Sequence, residues 1–545
     1  MTTQNRGADL VARTLARAGV SRVFSLSGNH IMSIYDAGID AGLEIIHVRH
    51  EAAAVHMADA WARLTGKIGV AMLTGGPGHA NGVAALYTAL ASESPVLLLS
   101  GHAPLEQLGQ GAFQEMRQAD MAAPVTKASW TVAGIDTLAE DVARAIRIAT
   151  SGRPGPVHLS LPDDVLEAVA TEVELPPSDA FNPVARTLPD NVAREMTDAL
   201  RAARRPLILA GPMGATALAG GMVDSLRAAT GIPVVTMESP RGVNDPLLGA
   251  FAEVLDQADC VLLLGKQPDH TLGFGRPPLL SPDCQLLQID PDELALDRLR
   301  GAFGLYQRLP RQFRADARSA ARALADTFGA THPAVDWREE VEAAVSYRPA
   351  EWAEATGSRP GVMHPARLCA AVQPLLDSHP DAVLISDGGE FGQWAQACLS
   401  ARHRVINGVA GAIGAGLSFA LAARLAVPEA PVVALSGDGS IGFHISEFDT
   451  GFRHSLPFIA VVGNDSCWNA EYQIQLRKYG PDRAVGCELL PARYDRVAMA
   501  LGGFGEQADD EASLASALQR AHESGLPACI NVPMDRVPAP VIRRR

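Results

Sequence analysis

Short, almost wholly apolar runs alternate with segments of helical spacing along the chain, and this alternation restricts the fold more than any other feature. The runs Val96–Leu99, Leu207–Ala210 and Val432–Ser436 carry no charged side chain. Strands that are buried on both faces of a parallel sheet have this composition. We therefore predict an α/β fold made of mostly parallel sheets, with helices on both faces of each sheet.

Helical spacing of apolar residues is clearest at Gly7–Gly19, and an alanine-rich helix is predicted for Glu51–Leu64. The predicted strands are, in chain order, Val23–Leu26, Ile45–Val48, Ile68–Leu73, Val96–Leu99, Leu207–Ala210, Pro233–Thr236, Val261–Leu264, Gln285–Ile289, Ala382–Ser386, Val432–Ser436 and Phe458–Val462. They fall into three groups, so the repetition in this sequence is that of whole α/β units.

The chain has 545 residues, which at roughly 100–200 residues per domain gives room for about three to five hydrophobic cores. A proline-rich segment from Pro176 to Pro189 and a polar stretch from Ser346 to Gly361 are typical of linkers. We therefore predict three domains: an N-terminal domain at 1–172, a central domain at 188–335 and a C-terminal domain at 358–540.

The charge balance bears on the class of partner. Lys and Arg number 46 against 61 Asp and Glu, which gives a net charge of −15. A nucleic acid is therefore not expected as a partner, because phosphate binding needs a cationic surface. Ordinary apolar and charged fractions, 47% and 20%, disfavour wholesale disorder and fibrous structures.

The seven cysteines are scattered without a CxxC pair, so we expect reduced thiols and a cytoplasmic location. The segment Met1–Asp9 has no apolar export-signal core. The uncharged stretch Val405–Ala422 contains Asn407 and several glycines. It is therefore predicted to be a buried loop and helix, and no membrane association is expected.

A glycine-rich motif follows one of the predicted strands. The sequence GDGSIG at Gly437–Gly442 matches the GxGxxG dinucleotide pattern. Asp438 argues against a dinucleotide, because its carboxylate would repel a pyrophosphate unless a divalent cation lay between them. Asn464 and Asp465 follow the next strand, and ligand sites of α/β sheets lie at such strand ends. A metal–diphosphate site is therefore favoured, although each motif alone is also compatible with an ordinary turn.

These residues resemble a known family, the thiamine diphosphate-dependent enzymes of the acetolactate synthase-like group, over nearly the whole chain. That family carries Gly-Asp-Gly and then Asn-Asn at a spacing similar to the 24 residues between Gly439 and Asn464. Asp465 departs from the usual Asn and adds a carboxylate. The resemblance implies Asp438, Asp465 and the carbonyl of Cys467 as Mg²⁺ ligands, and Gly437, Gly439 and Ser440 as diphosphate contacts.

The sequence RHEAA at Arg49–Ala53 matches the N-terminal motif of the same family. The resemblance implies that Glu51 hydrogen-bonds the pyrimidine ring of the cofactor and stabilises the tautomer that removes a proton from the thiazolium ring. The alternative is structural, since a glutamate in a first helical turn is favoured by the helix dipole.

Further family motifs surround these two. Within Gly411–Gly414, Ile413 corresponds to the apolar wedge that bends the cofactor, although it could be an ordinary core isoleucine. Gln114 is expected to face the reactive carbon. The second diphosphate loop is Gly388, Gly389, Glu390 and Phe391, where backbone contacts are expected and side-chain roles are not.

Substrate choice would come from polar residues near the reactive carbon. Asn29 and His30 follow a Gly-x-His order similar to that of benzaldehyde lyase, and Glu471 falls where pyruvate decarboxylases carry an acidic proton relay. Trp468 and Asn469 are further candidate cofactor contacts. Asn29, His30 and Glu471 could equally be solvated surface residues. If they face the cofactor, Asn29, His30, Gln114 and Glu471 form a cluster that can shuttle protons.

The central segment contains motifs that indicate a second candidate reaction. Gly265–Pro268 and Leu272–Gly275 look like the region of 2-hydroxyacyl-CoA lyases and oxalyl-CoA decarboxylases whose central domain can bind an ADP moiety. Acetolactate synthases bind FAD in the same domain, so either FAD or a CoA/ADP ligand is conceivable. Arg241, Lys266 and Arg276 are candidate phosphate contacts or solvated residues. Arg543–Arg545 could cover a CoA site, but a frayed tail is the favoured interpretation.

The leading hypothesis is a thiamine diphosphate- and Mg²⁺-dependent decarboxylase, carboligase or C–C lyase that acts on a 2-oxoacid or an aldehyde. The runner-up is an acyl-CoA lyase or decarboxylase with an acyl-CoA substrate. An NAD-dependent dehydrogenase that uses Gly437–Gly442 is less favoured, and so is a non-catalytic binding protein. In the family, Glu51 and the metal loop of one active site belong to different subunits, so a homodimer or homotetramer is expected.

Overall fold

A computed structural model describes residues 5–170, 174–302, 309–329 and 334–544. The first four residues, 171–173 at the end of the predicted N-terminal domain, 303–308 and 330–333 of the predicted central domain, and Arg545 lie outside the described residues. The described residues form three parallel sheets. The predicted α/β class with three domains is confirmed, whereas the domain limits stay predictions.

The first sheet lies in the N-terminal part of the chain. Its strands are β1 (Arg22–Leu26), β2 (Glu44–His47), β3 (Gly69–Leu73), β4 (Val96–His102), β5 (Ala128–Thr131) and β6 (Val157–Pro162), and its helices are α1 (Gly7–Arg17), α2 (Met32–Ala41), α3 (Glu51–Thr65), α4 (Pro77–Ala91), α5 (Gln118–Ala122), α6 (Ile135–Thr150) and α7 (Asp163–Glu167). The strand order is β2-β1-β3-β4-β6-β5.

The central sheet has five strands. They are β7 (Pro206–Ala210), β8 (Val234–Thr236), β9 (Cys260–Leu264), β10 (Gln285–Ile289) and β11 (Arg311–Phe313), with helices α8 (Asp190–Ala202), α9 (Met222–Thr230), α10 (Ala252–Leu255), α11 (Glu293–Ala302), α12 (Ala317–Phe328) and α13 (Val335–Ser346). The strand order is β11-β10-β9-β7-β8.

The third sheet belongs to the C-terminal part. Its strands are β12 (Val383–Ser386), β13 (His403–Ile406), β14 (Val432–Gly437), β15 (Ile459–Asn464), β16 (Phe504–Gln507) and β17 (Ala528–Pro533), and its helices are α14 (Pro365–Asp377), α15 (Gly389–Cys398), α16 (Gly416–Ala426), α17 (Asp438–Ile441), α18 (Glu447–Arg453), α19 (Asn469–Tyr479), α20 (Tyr494–Ala500) and α21 (Glu511–Ser524). The strand order is β13-β12-β14-β15-β17-β16.

Alternate residues of each central strand enter different cores, because side chains of a strand point to opposite faces. Val70 and Met72 of β3 belong to a core inside the first unit. Ala71 and Leu73 belong to a second core that also contains Phe419 of α16 in the C-terminal unit. The N-terminal and C-terminal units therefore share one hydrophobic core, in which α3 packs against α16.

In all three sheets the first strand pairs with the second strand on one side and with the third on the other. The chain reverses its winding direction there, and the space at the carboxyl ends of these strands is where ligands bind in open α/β sheets. We call this space the switch-point crevice of each sheet: β1/β3, β7/β9 and β12/β14.

Six strands of the described residues were not predicted from the sequence: β5, β6, β11, β13, β16 and β17. Four of them, β5, β11, β13 and β16, are short edge strands that are incompletely buried. The other two, β6 and β17, lie inside their sheets, but buried polar residues such as His158 and Asn531 interrupt their apolar runs.

Two other expectations concern cysteines and membranes. All seven cysteines are free thiols, as predicted, and six of them are buried. The stretch Val405–Ala422 ends β13, forms a loop and enters α16, as predicted. In the described parts of the chain, no helix combines the length and the apolarity that a membrane span requires.

Candidate active site

A cavity of about 370 Å³ opens at the β12/β14 crevice of the C-terminal sheet. Three loops supply most of its walls, and two residues come from the central unit. The lining residues are Pro240, Arg241, Gly388, Gly389, Glu390, Phe391, Gln393, Asn407, Gly411, Ile413, Gly437, Asp438, Gly439, Ser440, Gly463, Asp465, Cys467, Trp468, Asn469, Ala470 and Glu471. The cofactor-binding and metal-binding candidates from 388 to 469 therefore line one cavity, together with Glu471.

Two acidic side chains meet on the floor of this cavity. Asp438 and Asp465 are 2% and 9% exposed, at the ends of β14 and β15. Asp438 Oδ2 accepts the Cys467 N–H at 3.2 Å, whereas Asp465 Oδ1 has no hydrogen-bond partner. Burial raises the pKa of both carboxyl groups, and the charge of Asp438 raises the pKa of Asp465 further.

This arrangement fits a hard divalent cation, because two buried carboxylates that face each other need either a proton or a cation between them. No group of three or more His, Cys, Asp or Glu side chains among the described residues could hold a metal alone. A cation here would take its remaining ligands from backbone carbonyls, of which Cys467 is the nearest by sequence, and from oxygens of a bound cofactor.

Close packing requires a glycine at one position of the loop after β14, residues 437–440, which we call the metal loop for its predicted role. A Cβ on Gly439 would come within 2.6 Å of the Trp468 ring, whereas a Cβ on Gly437 would meet open space. The hydroxyl of Ser440 lies 3.4 Å from the carbonyl oxygen of Gly388, so the loops after β12 and β14 touch. Both loops thus face the same space, which is the space that a diphosphate would need.

The wedge candidate Ile413 also lies in this space. A Cβ on Gly388 would approach Ile413 Cγ2 to 2.4 Å, so only glycine fits there. Asp387, which sequence reasoning missed, joins the two segments: its carboxylate accepts the N–H groups of Gly388 at 2.7 Å, Gly414 at 3.0 Å and Gly416 at 3.2 Å. The sequence feature that could have indicated Asp387 is a carboxylate between an apolar run and the dipeptide Gly388-Gly389.

Other candidates contact the protein itself. Phe391 packs against Gly463, and Glu390 accepts the Ala539 N–H at 2.5 Å and lies 3.5 Å from Arg241. Asn469 donates to the carbonyl of Val537 at 3.1 Å. The C-terminal segment therefore holds Glu390 and Asn469, two residues that line the cavity.

The expectation of a frayed tail is wrong for Arg544. Its backbone N–H and its guanidinium bind Glu253, and the guanidinium also lies 2.8 Å from Glu340. These two carboxylates belong to the central unit, so they fix the end of the chain. Arg545 lies outside the described residues.

Glu51 lies at a different crevice, that of the N-terminal sheet. It is the first residue of α3, and its Oε2 accepts from Asn81 Nδ2 at 3.1 Å. A Cβ on Gly78 would lie 3.5 Å from the other carboxyl oxygen. Asn81 was not among the predicted site residues, because an isolated asparagine in a helix carries no motif.

His30 and Gln114 lie beside the same crevice. The ring of His30 is 3.2 Å from Thr74 Oγ1 and stacks on Phe113 at 5.9 Å. Burial lowers the pKa of His30, which favours the neutral imidazole. Gln114 has a φ of +57° and lies so close to Gly76 that a Cβ there would be 2.8 Å from it. Asn29 is exposed next to His30.

The site residues therefore form two groups within one chain. The N-terminal group contains Asn29, His30, Glu51 and Gln114, and the C-terminal group contains the metal loop and Glu471. Among the described residues, those that line the C-terminal cavity all come from 240–471. The predicted four-residue polar cluster is thus not assembled within a single chain.

The β7/β9 crevice of the central sheet is filled by the protein itself. Arg153 from the N-terminal unit forms ion pairs with Glu93 and, at 2.5 Å, with Asp290. Glu93 also accepts the backbone N–H of Met213 at 3.1 Å, in the loop after β7. The cavity at the ends of β7 and β9 is about 20 Å³, which is room for roughly one water molecule. A separate cavity of about 1220 Å³ lies beside it and shares Met213, Met222 and Ala317 with its lining.

The three candidate phosphate contacts of the central unit do not converge. Lys266 is 2% exposed and donates to Asp269 at 2.9 Å. Arg276 lies over the ring of Phe274, and Arg241 lies at the C-terminal cavity. A nucleotide phosphate therefore has no shared cationic group among these residues.

Comparison with known proteins identifies the family. "Thiamine pyrophosphate enzyme, N-terminal TPP binding domain" matches residues 5–121, the central domain of the same family matches 193–324, and its "C-terminal TPP binding domain" matches 387–532. The two cofactor-binding matches contain the N-terminal and the C-terminal groups of site residues.

Similar curated proteins cover nearly the whole chain. A "Probable acetolactate synthase" of Mycobacterium bovis is 34% identical over 96% of this chain and 95% of its own length. The "2-hydroxyacyl-CoA lyase 2" of Caenorhabditis elegans is 31% identical over 97% and 88%, and that of Homo sapiens is 29% identical over 97% and 90%. With both cofactor-binding halves and the central domain matched in order, the chain belongs to the thiamine pyrophosphate enzyme family and is a thiamine diphosphate-dependent enzyme.

Proposed function

We propose that the protein is a thiamine diphosphate- and Mg²⁺-dependent decarboxylase, carboligase or C–C lyase that acts on a 2-oxoacid or an aldehyde. The observation that carries this proposal is the pair of facing carboxylates, Asp438 and Asp465, on the floor of a glycine-walled cavity. A buried pair of this kind needs a proton or a cation, and a diphosphate brought in with a cation would meet the loops of Gly388 and Gly439.

The proposed roles follow from these positions. Asp438, Asp465 and the Cys467 carbonyl would hold Mg²⁺, with the backbone of 388–391 and 437–440 at the diphosphate. Ile413 would support the bend of the cofactor. When bound, thiamine diphosphate supplies a thiazolium carbon that adds to a carbonyl group and accepts the electron pair of the bond that breaks. A carboxyl oxygen of Glu51 would hold a proton at the pyrimidine ring.

Two copies of the chain would complete the site. The N-terminal group of one copy would face the C-terminal cavity of another, so that Asn29, His30 and Gln114 approach Glu471 and can move protons at the substrate. We therefore propose a homodimer or a homotetramer. The free cysteines support our further proposal of a cytoplasmic location.

The acyl-CoA lyase is the second candidate, supported by the 2-hydroxyacyl-CoA lyase relatives. A CoA or FAD ligand in the β7/β9 crevice has less support, since Glu93, Arg153 and Asp290 fill that space. The NAD-dependent dehydrogenase also loses support, because Asp438 faces a second carboxylate and the chain belongs to another family.

Glu51→Gln tests the central assignment. With cofactor and Mg²⁺ bound, we expect exchange of the thiazolium C2 proton with D₂O to slow by at least about 100-fold, as general acid–base groups contribute about 100- to 10,000-fold. Glu140→Gln, at an exposed position of α6, is the matched control. Exchange at the wild-type rate in Glu51→Gln would sink the assignment.

The substrate is tested separately by mass spectrometry of products from pyruvate, glyoxylate, aromatic aldehydes and 2-hydroxyacyl-CoA esters. We expect products from the 2-oxoacids or aldehydes. Products from the CoA esters alone would replace the leading function with the acyl-CoA lyase.

A further inference from the structure

The start of helix α3, where Glu51 lies, is held by a residue far away in the sequence. Glu447 is the first residue of α18 and is fully buried. Its two carboxyl oxygens accept the backbone N–H of Arg49 at 3.1 and 3.3 Å. The carboxylate thus holds the backbone two residues before Glu51.

Further hydrogen bonds stabilise both sides of this contact, in α18 and at the start of α3. Thr450 Oγ1 donates to Glu447 Oε2 at 2.6 Å, which fixes the carboxylate from within α18. On α3, the ring of His50 accepts the N–H of Ala52 at 3.1 Å. A helix leaves its first N–H groups without partners in the helix, and an anion there is favoured by the helix dipole. Glu447 therefore fixes where α3 begins and in which direction it leaves.

The segment that carries Glu447 begins at the metal loop. Asp438 starts α17, and the chain runs directly from there through His444 to Glu447. His444 Nδ1 lies 2.7 Å from the carbonyl oxygen of Gly414, next to the wedge candidate Ile413, and its ring meets the ring of His50 at 5.3 Å. One stretch of chain therefore contacts the wedge loop and the start of α3.

We propose that Glu447 is a positioning residue for Glu51, and that it couples the geometry of Glu51 to the metal loop of the same chain. The proposal rests on the catalytic role proposed for Glu51. A displacement of about 1 Å at a reacting group can cost about 100-fold in rate, and the backbone in front of Glu51 has this carboxylate as its anchor. If two copies share each active site, the segment from Asp438 to Glu447 links two sites.

The test measures C2-proton exchange of the bound cofactor, normalised to the amount bound, in Glu447→Ala, Glu447→Gln and Thr450→Val. We expect Glu447→Ala to lower the exchange rate by about 10- to 100-fold with nearly unchanged cofactor Kd. Glu447→Gln keeps one acceptor oxygen and should recover part of the rate. Thr450→Val should give a smaller loss than Glu447→Ala.

The matched control is Asp449→Asn on the same helix. Asp449 pairs with the side chains of Arg49 and Arg453 rather than with the backbone before Glu51, so its exchange rate should equal that of the wild type. A purely structural role of Glu447 would lower the unfolding temperature and leave exchange per bound cofactor unchanged.

The outcomes separate the two proposals. Wild-type exchange in folded, cofactor-loaded Glu447→Ala overturns the positioning role, provided that Glu51→Gln is slow. Wild-type exchange in Glu51→Gln overturns the catalytic role proposed for Glu51, on which the positioning role depends. If Glu447→Ala does not fold, Thr450→Val decides, and an unchanged exchange rate in that variant overturns the positioning role.

Discussion

The central and C-terminal units share the order of their first four strands, 2-1-3-4, and place the same kind of crevice at the same point of it, yet the two crevices differ in content. In the C-terminal unit, Asp438 and Asp465 meet on the floor of a cavity of about 370 Å³. In the central unit, Arg153 joins Glu93 and Asp290, and the space beside them is about 20 Å³.

The difference lies in charge compensation. Two carboxylates also meet in the central crevice, but a guanidinium from the N-terminal unit satisfies both, so no ligand is needed. In the C-terminal crevice, the described residues place no cationic side chain between the two carboxylates, and Arg536 binds the backbone carbonyl of Asp465 instead. The pair therefore needs a proton or a bound cation. Strand order thus provides the position of a site, and the side chains at the strand ends decide whether a ligand can use it.

The largest effect is expected from Asp438→Ala, which removes a carboxylate from the open crevice. Loss of metal-assisted binding, worth several kcal/mol, should lower activity by at least about 1000-fold. Equilibrium dialysis should show that thiamine diphosphate is no longer retained with Mg²⁺. Asp509→Asn, at an exposed position of the same unit, is the control. Normal cofactor retention by Asp438→Ala would mean that the crevice does not bind through this carboxylate.

Arg153→Ala removes the guanidinium that fills the central crevice. It leaves Glu93 and Asp290, which are 7% and 0% exposed, without their cation. Such a loss costs about 3–5 kcal/mol in the free energy of unfolding, which urea denaturation can measure. Arg402→Ala removes an ion pair whose partners are 67% and 41% exposed and should cost less than about 1 kcal/mol. Equal effects of the two substitutions would show that the central triad does not behave as a buried pair.

Asp465→Asn tests the contribution of the second carboxylate to cation binding in the C-terminal crevice. Removing one of two facing carboxylates relieves repulsion in the metal-free protein and weakens the cation site. We expect Mg²⁺ affinity to fall by about tenfold, or roughly 1.4 kcal/mol, and the metal-free protein to unfold at a higher temperature. Calorimetric titration with Mg²⁺ and thermal unfolding give the two values. Tighter Mg²⁺ binding by the variant would contradict the role of the second carboxylate.

The smallest effect is expected from adding FAD or ADP, because the central crevice is already filled. Neither should shift the unfolding temperature by more than about 1 °C, whereas thiamine diphosphate with Mg²⁺ at about a hundredfold excess over its Kd should raise it by roughly 5 °C. A shift by FAD comparable to that of thiamine diphosphate would show that the crevice opens for a nucleotide.

Much of the fold was predictable, because strands that are buried on both faces appear in the sequence as apolar runs. All eleven predicted strands are present, as β1–β4, β7–β10, β12, β14 and β15. The edge strands β5 and β11 could not be predicted, since their short segments are only partly buried. The cofactor-binding and metal-binding candidates from Gly388 to Asn469 were found by motif, and the structure brings them to one cavity.

Some of the site could not be predicted from the sequence. Asp387 and Glu447 act on backbone N–H groups, and such a contact depends on where two loops meet in space rather than on any local pattern. The interaction of Glu447 with Arg49 joins residues that are hundreds of positions apart. Likewise, nothing near Lys266 indicated that this lysine would be buried against Asp269.

The sequence by itself determined the α/β class and the three repeated units, because apolar periodicity is a local property of the chain. Its motifs around Asp438 and Glu51 indicated the cofactor through their resemblance to a known family. Only the tertiary structure decided which crevice is open and which is closed. That outcome depends on Arg153 and Glu93 of one unit reaching Asp290 of another, and charge compensation between distant residues exists only once the chain has folded.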